Sequence, residues 1–331
     1  MVTYRDFMET SLYDARRGFY SKRAVKEDFY TAPELHPAFA EILTRKLADL
    51  FSRMKGAGVP GPYSIVEMGS GSGLLARQVL DALGRNHPEW SQKIRYVMVE
   101  RTRNLLLESM TAVPGAAGRL LGFSRLEDVP QTTGVFFSNE LVDAFPFHLL
   151  EKRGGKIIEL YVEPEGDLRA GPLSRPELEI HARGVERLLG EGQRHAVNLE
   201  AARWTRLVSD KLKAGYLLTI DYGGRSPAGA ILPNPPRAFS HHRVGDADAS
   251  RAGETDITAS VDFETLIQEG SRRGLALETF QTMGGFLIDN GIGSLIEGAP
   301  ARSRAQIKTL IHPEGMGEVF KVLLQRREPR P

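Results

Sequence analysis

The 331-residue chain contains no cysteine, which excludes disulfides, thiolate metal ligands and a cysteine nucleophile. It has no apolar run close to the roughly eighteen residues that a membrane-spanning helix needs. Its first residues lack the apolar centre of a secretory signal, and Asp6, Glu9 and Asp14 are unusual in a transit sequence. We therefore expect a cytoplasmic globular protein without a membrane span.

The chain also has no large excess of positive or negative charge. It contains 43 Lys and Arg and 42 Asp and Glu, for a formal net charge of +1. Proteins that coat nucleic acid or bind anionic membranes depend on a basic excess, so we expect no nucleic-acid partner. The hydrophobic fraction of 41% and the charged fraction of 26% are ordinary for a globular chain. The length corresponds to two domains or one enlarged domain.

The segment from 1 to 58 favours helices. Residues 31–34 (TAPE) match the capping box that begins a helix, and apolar residues then recur every three or four positions from Leu35 to Phe51. A Gly- and Pro-rich stretch at 55–62 ends this pattern. We predict an N-terminal helical cap over 1–58 and a core over 59–331.

Short apolar runs alternate with helical patterns in the core, as in a doubly wound parallel α/β sheet of the Rossmann-like type. Insertions are predicted near 147–195, which begins with an alternating β-meander, near 223–260, a long polar loop, and near 284–315, which looks helical. The predicted strands are 63–68, 94–100, 134–138, 216–221, 275–281 and 318–325, and the predicted helices are 74–83, 102–110, 199–213 and 261–272.

The strongest chemical signal is a glycine-rich turn between the first core strand and the next helix. Glycines permit positive φ and a close approach of backbone N–H groups to a ligand. Position 74 is Leu rather than the third glycine of a dinucleotide fingerprint, and no Gly-Lys-Ser/Thr follows. The acid-x-Gly-x-Gly-x-Gly order is similar to the first motif of S-adenosylmethionine methyltransferases, and a ligand-free turn is the alternative. The predicted cofactor residues here are Glu67, Gly69, Ser70, Gly71 and Gly73.

Two further strand ends carry polar side chains that could meet at the same sheet edge. Glu100 follows the second strand, where a carboxylate can accept both ribose hydroxyls of an adenosine. The alternative for Glu100 is a solvated or helix-capping acid. Asn139 follows the third strand and is predicted to lie beside the cofactor.

A group of carboxylates close to Asn139 suggests the acceptor chemistry. Carboxylates can grip an arginine guanidinium bidentately and orient its reactive nitrogen. Glu140 is the predicted catalytic residue, with Asp143 and the strand-end Asp221 as helpers. The alternative is that Asn139 and Glu140 only cap the following helix.

Six segments, in order along the chain, give it a resemblance to the MidA-like proteins, relatives of the mitochondrial complex I assembly factor that is a protein arginine methyltransferase. The resemblance implies an S-adenosylmethionine-dependent methyltransferase fold and an arginine acceptor. It also implies that Tyr30, Thr31, Pro33 and Glu34 help to close the cofactor site. The matching segments are DFYTAPEL at 28–35, EMGSGSG at 67–73, SNELVDAFP at 138–146, LTIDYGG at 218–224, GETDITASVDF at 253–263 and MGEVFK at 316–321.

The leading hypothesis is therefore methyl transfer from S-adenosylmethionine to an arginine of a protein substrate whose identity the sequence leaves open. Methylation of a small molecule or of another protein residue is the alternative within the same class. A non-catalytic assembly or binding module that retains the fold is the alternative from another class. The adjacent His241 and His242 have no further ligands at metal-binding spacing, so no metal is predicted, and the oligomeric state stays open.

Overall fold

The computed structural model describes the chain except residues 22–30, 114–117, 228–229, 241–242, 246–252 and 330–331. The predicted cofactor residue Tyr30 and the pair His241 and His242 lie outside the described residues. In the described part, no helix is both long and apolar enough to cross a membrane. The cytoplasmic location stays a prediction.

The strands are β1 (Val2–Thr3), β2 (Tyr63–Met68), β3 (Arg95–Val99), β4 (Leu120–Phe123), β5 (Thr132–Asn139), β6 (His148–Arg153), β7 (Lys156–Val162), β8 (Leu168–Gly171), β9 (Arg194–Val197), β10 (Leu212–Gly224), β11 (Arg237–Ser240), β12 (Arg243–Gly245), β13 (Asp256–Thr258), β14 (Val261–Asp262), β15 (Ala276–Thr282) and β16 (Phe320–Arg327). The helices are α1 (Tyr4–Tyr13), α2 (Ala32–Leu35), α3 (Ala38–Gly56), α4 (Leu74–Asn86), α5 (Pro88–Ser91), α6 (Arg103–Thr111), α7 (Leu178–Val185), α8 (Leu199–Lys211), α9 (Phe263–Arg272), α10 (Met283–Asp289), α11 (Ile292–Gly298) and α12 (Ala301–Ile311).

A central sheet has the strand order β15-β16-β10-β5-β2-β3-β4. Strands β10, β5, β2, β3 and β4 are parallel neighbours, whereas β16 runs antiparallel to both β10 and β15. Helix α4 connects β2 to β3 after the glycine-rich turn. This arrangement confirms the predicted Rossmann-like α/β class and brings the carboxyl ends of β2, β3, β5 and β10 to one edge.

The strands at the centre of this sheet are buried on both faces, which explains why they read as continuous apolar runs. All six residues of β2 are buried, and helix α3 contributes a long apolar face that includes Phe39, Leu43 and Phe51. The ring of Phe51 stacks on Tyr63 with the centroids 5.8 Å apart. The periodic pattern of the N-terminal segment therefore marks a helix that packs in the core of the sheet.

The chain divides into two compact units. The first comprises Met1–Phe29, Val142–Trp204 and Gly224–Leu266. It contains an antiparallel sheet in the order β1-β7-β6-β9, with β8 paired to β7, and a three-stranded sheet in the order β12-β11-β13. Helix α1 buries Tyr4 in the core of this unit, where the ring stacks on Phe147 with a centroid distance of 5.8 Å. The predicted meander corresponds to β6, β7 and β8.

The second unit comprises Tyr30–Leu141, Thr205–Gly223 and Ile267–Pro331. It holds the glycine-rich turn, the helices α2 to α6 and the helices α10 to α12, which lie in the segment predicted to be helical. The predicted division into a cap over 1–58 and a core over 59–331 stays a prediction.

Candidate active site

The glycine-rich turn leaves β2 at the carboxyl edge of the sheet and enters α4. Gly69, Gly71 and Gly73 have φ angles of 77°, 50° and 75°, a left-handed conformation that glycine adopts without steric cost. The Gly69 N–H donates to the Val99 carbonyl at 2.8 Å, which ties the turn to β3. Ser70, which lies within the turn, is buried. Glycine therefore stands at each of the three positions where the turn requires a left-handed backbone conformation.

Glu67 is buried within β2, with 3% of its surface exposed. Its Oε2 accepts a hydrogen bond of 2.8 Å from the Tyr96 hydroxyl on β3. Burial raises the pKa of Glu67 to about 8, and the nearby Glu100 adds to the rise, although the Tyr96 hydrogen bond opposes it. The carboxyl is thus held protonated at neutral pH, in a position where it can orient a polar ligand group.

Glu100 bridges the turn and the start of α6. Its Oε2 accepts from the Gly71 N–H at 3.1 Å, and its Oε1 accepts from the Thr102 N–H at 2.8 Å. Burial raises the pKa of Glu100, while these backbone hydrogen bonds favour the carboxylate. Because a carboxylate offers about four acceptor positions, Glu100 retains acceptor capacity for the hydroxyls of a ribose.

The Asn139–Leu141 turn follows β5, next to the glycine-rich turn. Glu140 has φ 53°, which costs a non-glycine residue roughly 1–2 kcal/mol. Its N–H donates to the Ile220 carbonyl at 2.9 Å. A Cβ atom placed on Gly69 would lie 2.9 Å from the Leu141 side chain, so the two turns are in close contact. Strained backbone of this kind is frequent at functional sites.

The Glu140 carboxyl is half-buried and accepts two hydrogen bonds at Oε1. One comes from the Asn139 amide at 2.9 Å and the other from the Ala32 N–H at 3.3 Å. The pKa of Glu140 is raised to about 8, mainly by burial and in part by the negative charges of Asp221 and Glu34, while the two hydrogen bonds oppose the rise. Three carboxyl groups are therefore gathered around this turn.

Asp221 is fully buried at the end of β10 and acts on the same turn. Its Oδ2 accepts from the Leu141 N–H at 3.2 Å, and its Oδ1 accepts from the Tyr222 N–H at 2.9 Å. Asp221 therefore holds the backbone next to Glu140. Asp143, the third predicted catalytic residue, is buried in the first unit, and its role stays a prediction.

The short helix α2 brings the predicted cofactor-site residues Thr31, Pro33 and Glu34 into the second unit. The Glu34 carboxylate accepts from both the N–H and the hydroxyl of Thr31 at 3.1 Å, which forms part of the predicted capping box. The Pro33 carbonyl accepts from the Gln78 side chain on α4 at 3.2 Å. Helix α2 is therefore fixed to α4, and its Ala32 N–H contacts Glu140.

The residues at the carboxyl edge of the central sheet fit a nucleoside cofactor. Among the described residues, a Cβ atom placed on Gly71 would meet no atom within 4 Å, so these residues leave open space beside the turn. The buried Asn139 Oδ1 accepts no hydrogen bond within the described part of the chain. Asn139 and Glu100 thus offer acceptors for the hydroxyl and amino donors of S-adenosylmethionine, and Glu67 and the glycine-rich turn lie at the same sheet edge.

Three residues that contact the predicted site residues were not predicted from the sequence. Ala32 acts through its main-chain N–H, Tyr96 donates to a residue 29 positions away, and Gln78 contacts a carbonyl 45 positions away. No residue pattern marks a main-chain donor. The one available signal was the polar Gln78 in the first turns of α4, close to the glycine-rich turn.

Comparison with known families gives a match over most of the chain. A family model with the description "Putative S-adenosyl-L-methionine-dependent methyltransferase" matches residues 42–281. This range includes the glycine-rich turn, the Asn139–Leu141 turn and β10.

Individual proteins are similar over a comparable range. Two relatives named "Protein arginine methyltransferase NDUFAF7 homolog, mitochondrial" each align over 304 residues. The Drosophila melanogaster protein is 28% identical over 82% of this chain and 67% of its own length. The Caenorhabditis elegans protein is 24% identical over 81% of this chain and 68% of its own length. A crystal structure of a Burkholderia thailandensis protein bound to S-adenosyl-homocysteine superposes with a TM-score of 0.83 and 26% identity, covering 100% of this chain and 89% of that chain.

Proposed function

The chain belongs to the family of S-adenosyl-L-methionine-dependent methyltransferases, and from this premise we propose that it methylates an arginine of a protein. Its cofactor is S-adenosylmethionine, as the family description and the S-adenosyl-homocysteine in the similar crystal structure indicate. The names of the two relatives support a protein arginine as the acceptor.

The observation that carries the proposal is the Glu140 carboxyl on its strained turn. When bound, the cofactor supplies an electrophilic methyl group on a sulfonium. An arginine guanidinium stays protonated in solution and is a weak nucleophile. In its ionised form, Glu140 can accept two N–H bonds from the guanidinium fork and direct the remaining nitrogen toward the methyl carbon. Transfer forms an N–C bond and breaks the S–C bond, and one guanidinium proton leaves to solvent.

Asp221 and Glu34 support this role through their charge. They face the same turn, so a cationic acceptor meets several carboxyl groups rather than one. Asp221 also fixes the Leu141 N–H, which keeps the Glu140 backbone in place while the acceptor binds. Asp143 is proposed as a further helper.

The test is Glu140→Gln, with the exposed Glu165→Gln as the matched control. Each variant is incubated with methyl-labelled S-adenosylmethionine and an extract of cells that lack this protein, and labelled methylarginine is measured after hydrolysis of the proteins. Binding of S-adenosylhomocysteine is measured by calorimetry. We expect Glu140→Gln to lose at least roughly a hundredfold in transfer and to bind S-adenosylhomocysteine like the parent, whereas Glu165→Gln transfers normally.

Other results would change the proposal. Undiminished transfer by Glu140→Gln would exclude the role of this carboxyl. Label in another amino acid or in a small molecule would exclude the arginine acceptor. Cofactor binding without any transfer by the parent would favour the non-catalytic binding module.

A further inference from the structure

A cavity of about 670 Å³ lies within the second unit, between α3, α4 and the helices α11 and α12. This cavity, which we call the helical cleft, falls in the range of about 300–1,000 Å³ that is typical of ligand sites. One wall is apolar and includes Leu295, Ala299, Pro300 and the fully buried Ile307. The size and the apolar wall fit a ligand larger than a single side chain.

The wall formed by α4 is polar. Arg77 and Asp81 are exposed one helical turn apart and form no ion pair within the described residues. Arg85, by contrast, pairs with Glu41 at 3.2 Å. The wall therefore offers one cation and one anion that are available to a ligand carrying both charges.

Gln78 adds a hydrogen-bond acceptor to the same wall. Its nitrogen donates to Pro33, but its buried Oε1 accepts no hydrogen bond within the described part of the chain. A buried acceptor without a donor is unfavourable. A peptide N–H group in the cleft could supply that donor.

The helical cleft is connected to the candidate active site through α2. The residues that follow this helix, His36, Pro37 and Ala38, line the cleft, and the Ala32 N–H at its start bonds to Glu140. Gln78 contacts both, because it lines the cleft and holds the Pro33 carbonyl. A ligand in the cleft would therefore stabilise the helix that contacts Glu140.

We infer that the helical cleft is a docking site for a short segment of the acceptor protein, in which an apolar side chain is flanked by an acidic and a basic one. The inference rests on the proposed function in taking the partner to be a protein. The apolar side chain packs on Leu295 and Pro300, and the charged ones pair with Arg77 and Asp81. The helical cleft would therefore recognise a segment of the acceptor protein that is separate from the methylated arginine.

The experiment fills the cleft with Gly298→Trp. A Cβ atom at Gly298 meets no atom within 4 Å in the part of the chain that the structure describes, and Gly298 lines the cleft. Gly84→Trp is the matched control, because a Cβ atom there also meets none of the described residues within 4 Å, while Gly84 is exposed on α4 and lies outside the cleft lining. Random heptapeptides displayed on phage are selected on the parent chain, and the binding of individual peptides to each variant is measured by fluorescence polarisation.

We expect selected peptides to bind the parent and Gly84→Trp equally, and to bind Gly298→Trp roughly tenfold more weakly or worse. Arg77→Gln should weaken the same peptides several-fold. A selection that yields no peptide sensitive to Gly298→Trp would overturn the docking site.

A second measurement separates this inference from the proposed function. Transfer of labelled methyl groups to the proteins of the extract should fall roughly tenfold in Gly298→Trp, with unchanged binding of S-adenosylhomocysteine. Equal transfer by Gly298→Trp and the parent overturns the docking role. If the parent transfers nothing but peptide binding is lost in Gly298→Trp, the proposed function fails and the cleft stands as the peptide site of a non-catalytic binder.

Discussion

Two carboxyl groups of the candidate site are expected to titrate near neutral pH. Glu67 and Glu140 both have pKa values raised to about 8, in each case mainly by burial. Their partners differ, since Glu67 faces the Tyr96 hydroxyl and one carboxyl group, that of Glu100, whereas Glu140 faces two nitrogen donors and two carboxyl groups. We therefore expect Glu67 to affect stability and Glu140 to affect catalysis.

The pH dependence of unfolding tests Glu67. Because its pKa in the folded protein lies above the ordinary value of 4.5 for a glutamate, folding favours the protonated form. This stability is fully present below about pH 4.5 and is lost as the pH rises to about 8. Glu67→Gln retains an acceptor for Tyr96 but cannot ionise, so its free energy of unfolding should fall less over this window, with a slope smaller by up to roughly 1.4 kcal/mol per pH unit.

The measurement is urea denaturation between pH 4.5 and 8.5 with parent, Glu67→Gln and the exposed control Glu165→Gln. The control should follow the parent. Parallel curves for the parent and Glu67→Gln would show that the pKa of Glu67 in the folded protein is close to its ordinary value, so that the carboxyl is ionised in both states and the raised pKa is wrong.

The pH dependence of methyl transfer tests Asp221. If the ionised Glu140 holds the acceptor, kcat/KM should rise with pH through about 8. Asp221→Asn removes the negative charge that raises the pKa of Glu140 but keeps an oxygen for the Leu141 N–H. The rising limb should therefore move to lower pH by about one unit or less. An unmoved limb would mean that Asp221 acts on the backbone alone.

The acids and glycines of the site were predictable from the sequence, but their hydrogen-bond partners were not. Glu67, Glu100 and Glu140 stand at the ends of recognisable strands, and their types suggest chemistry. The Ala32 N–H that meets Glu140 lies 108 residues away, and any residue except proline could provide it. The raised pKa values depend on burial, which follows from packing and not from the local sequence.

The glycine-rich turn needs glycine for two reasons, the left-handed backbone and the space for the cofactor, and mutation can separate them. Gly71 has φ 50° and Gly58, in a turn after α3, has φ 73°, and a Cβ atom placed on either would meet no atom of the described residues within 4 Å. Gly71→Ala and Gly58→Ala should each lose roughly 1–2 kcal/mol of stability from backbone strain. Only Gly71→Ala should weaken S-adenosylhomocysteine binding, because its methyl group enters the cofactor space.

Calorimetry and urea denaturation measure the two effects side by side. Gly73→Ala should be more destabilising than either, since its Cβ atom would lie 2.7 Å from the Ser109 carbonyl oxygen on α6. Equal cofactor affinity in Gly71→Ala and Gly58→Ala would place the cofactor elsewhere.

Strands with a continuous apolar pattern were predictable from the sequence. Short strands that are stabilised mainly by contacts with neighbouring elements were not. The predicted bounds of β2 match the structure at 63–68, because every residue of this strand is buried and the glycines end it. Strand β4 was missed because it is short and only half-buried. Its Gly122 reads as a loop residue, yet a Cβ atom there would collide with the Met110 sulfur, so glycine allows α6 to pack on the strand. Strand β9 was also not predicted. It has only four residues, and its strand conformation depends on pairing with β6, which the local sequence does not show.

At the scale of the whole molecule, β16 is an interior strand of the central sheet. It pairs with β10 over eight residues from Gly215 to Tyr222 and with β15 on its other side, and it buries Val322, Leu323 and Leu324. A chain that ends after Glu318 should therefore fail to fold, because both neighbouring strands lose their partner and the core loses these side chains.

Circular dichroism and cooperative thermal unfolding provide the measurement, with a chain that ends after Glu328 as the control. The control keeps all of β16 and should unfold like the parent. A cooperative transition in the chain that ends after Glu318 would contradict the interior role of the strand.

The position of β16 also has a consequence for synthesis on the ribosome. Phe320 follows Gly224, the end of β10, by 96 residues, which takes roughly 5–20 s to translate at about 5–20 residues per second. During that interval the side of β10 that β16 later covers stays open in the nascent chain, and an open strand edge can pair with other chains. A ribosome that stalls before residue 320 therefore releases a product with an aggregation-prone edge, so rapid translation of this stretch, or a chaperone bound to it, protects the sheet that carries the candidate active site.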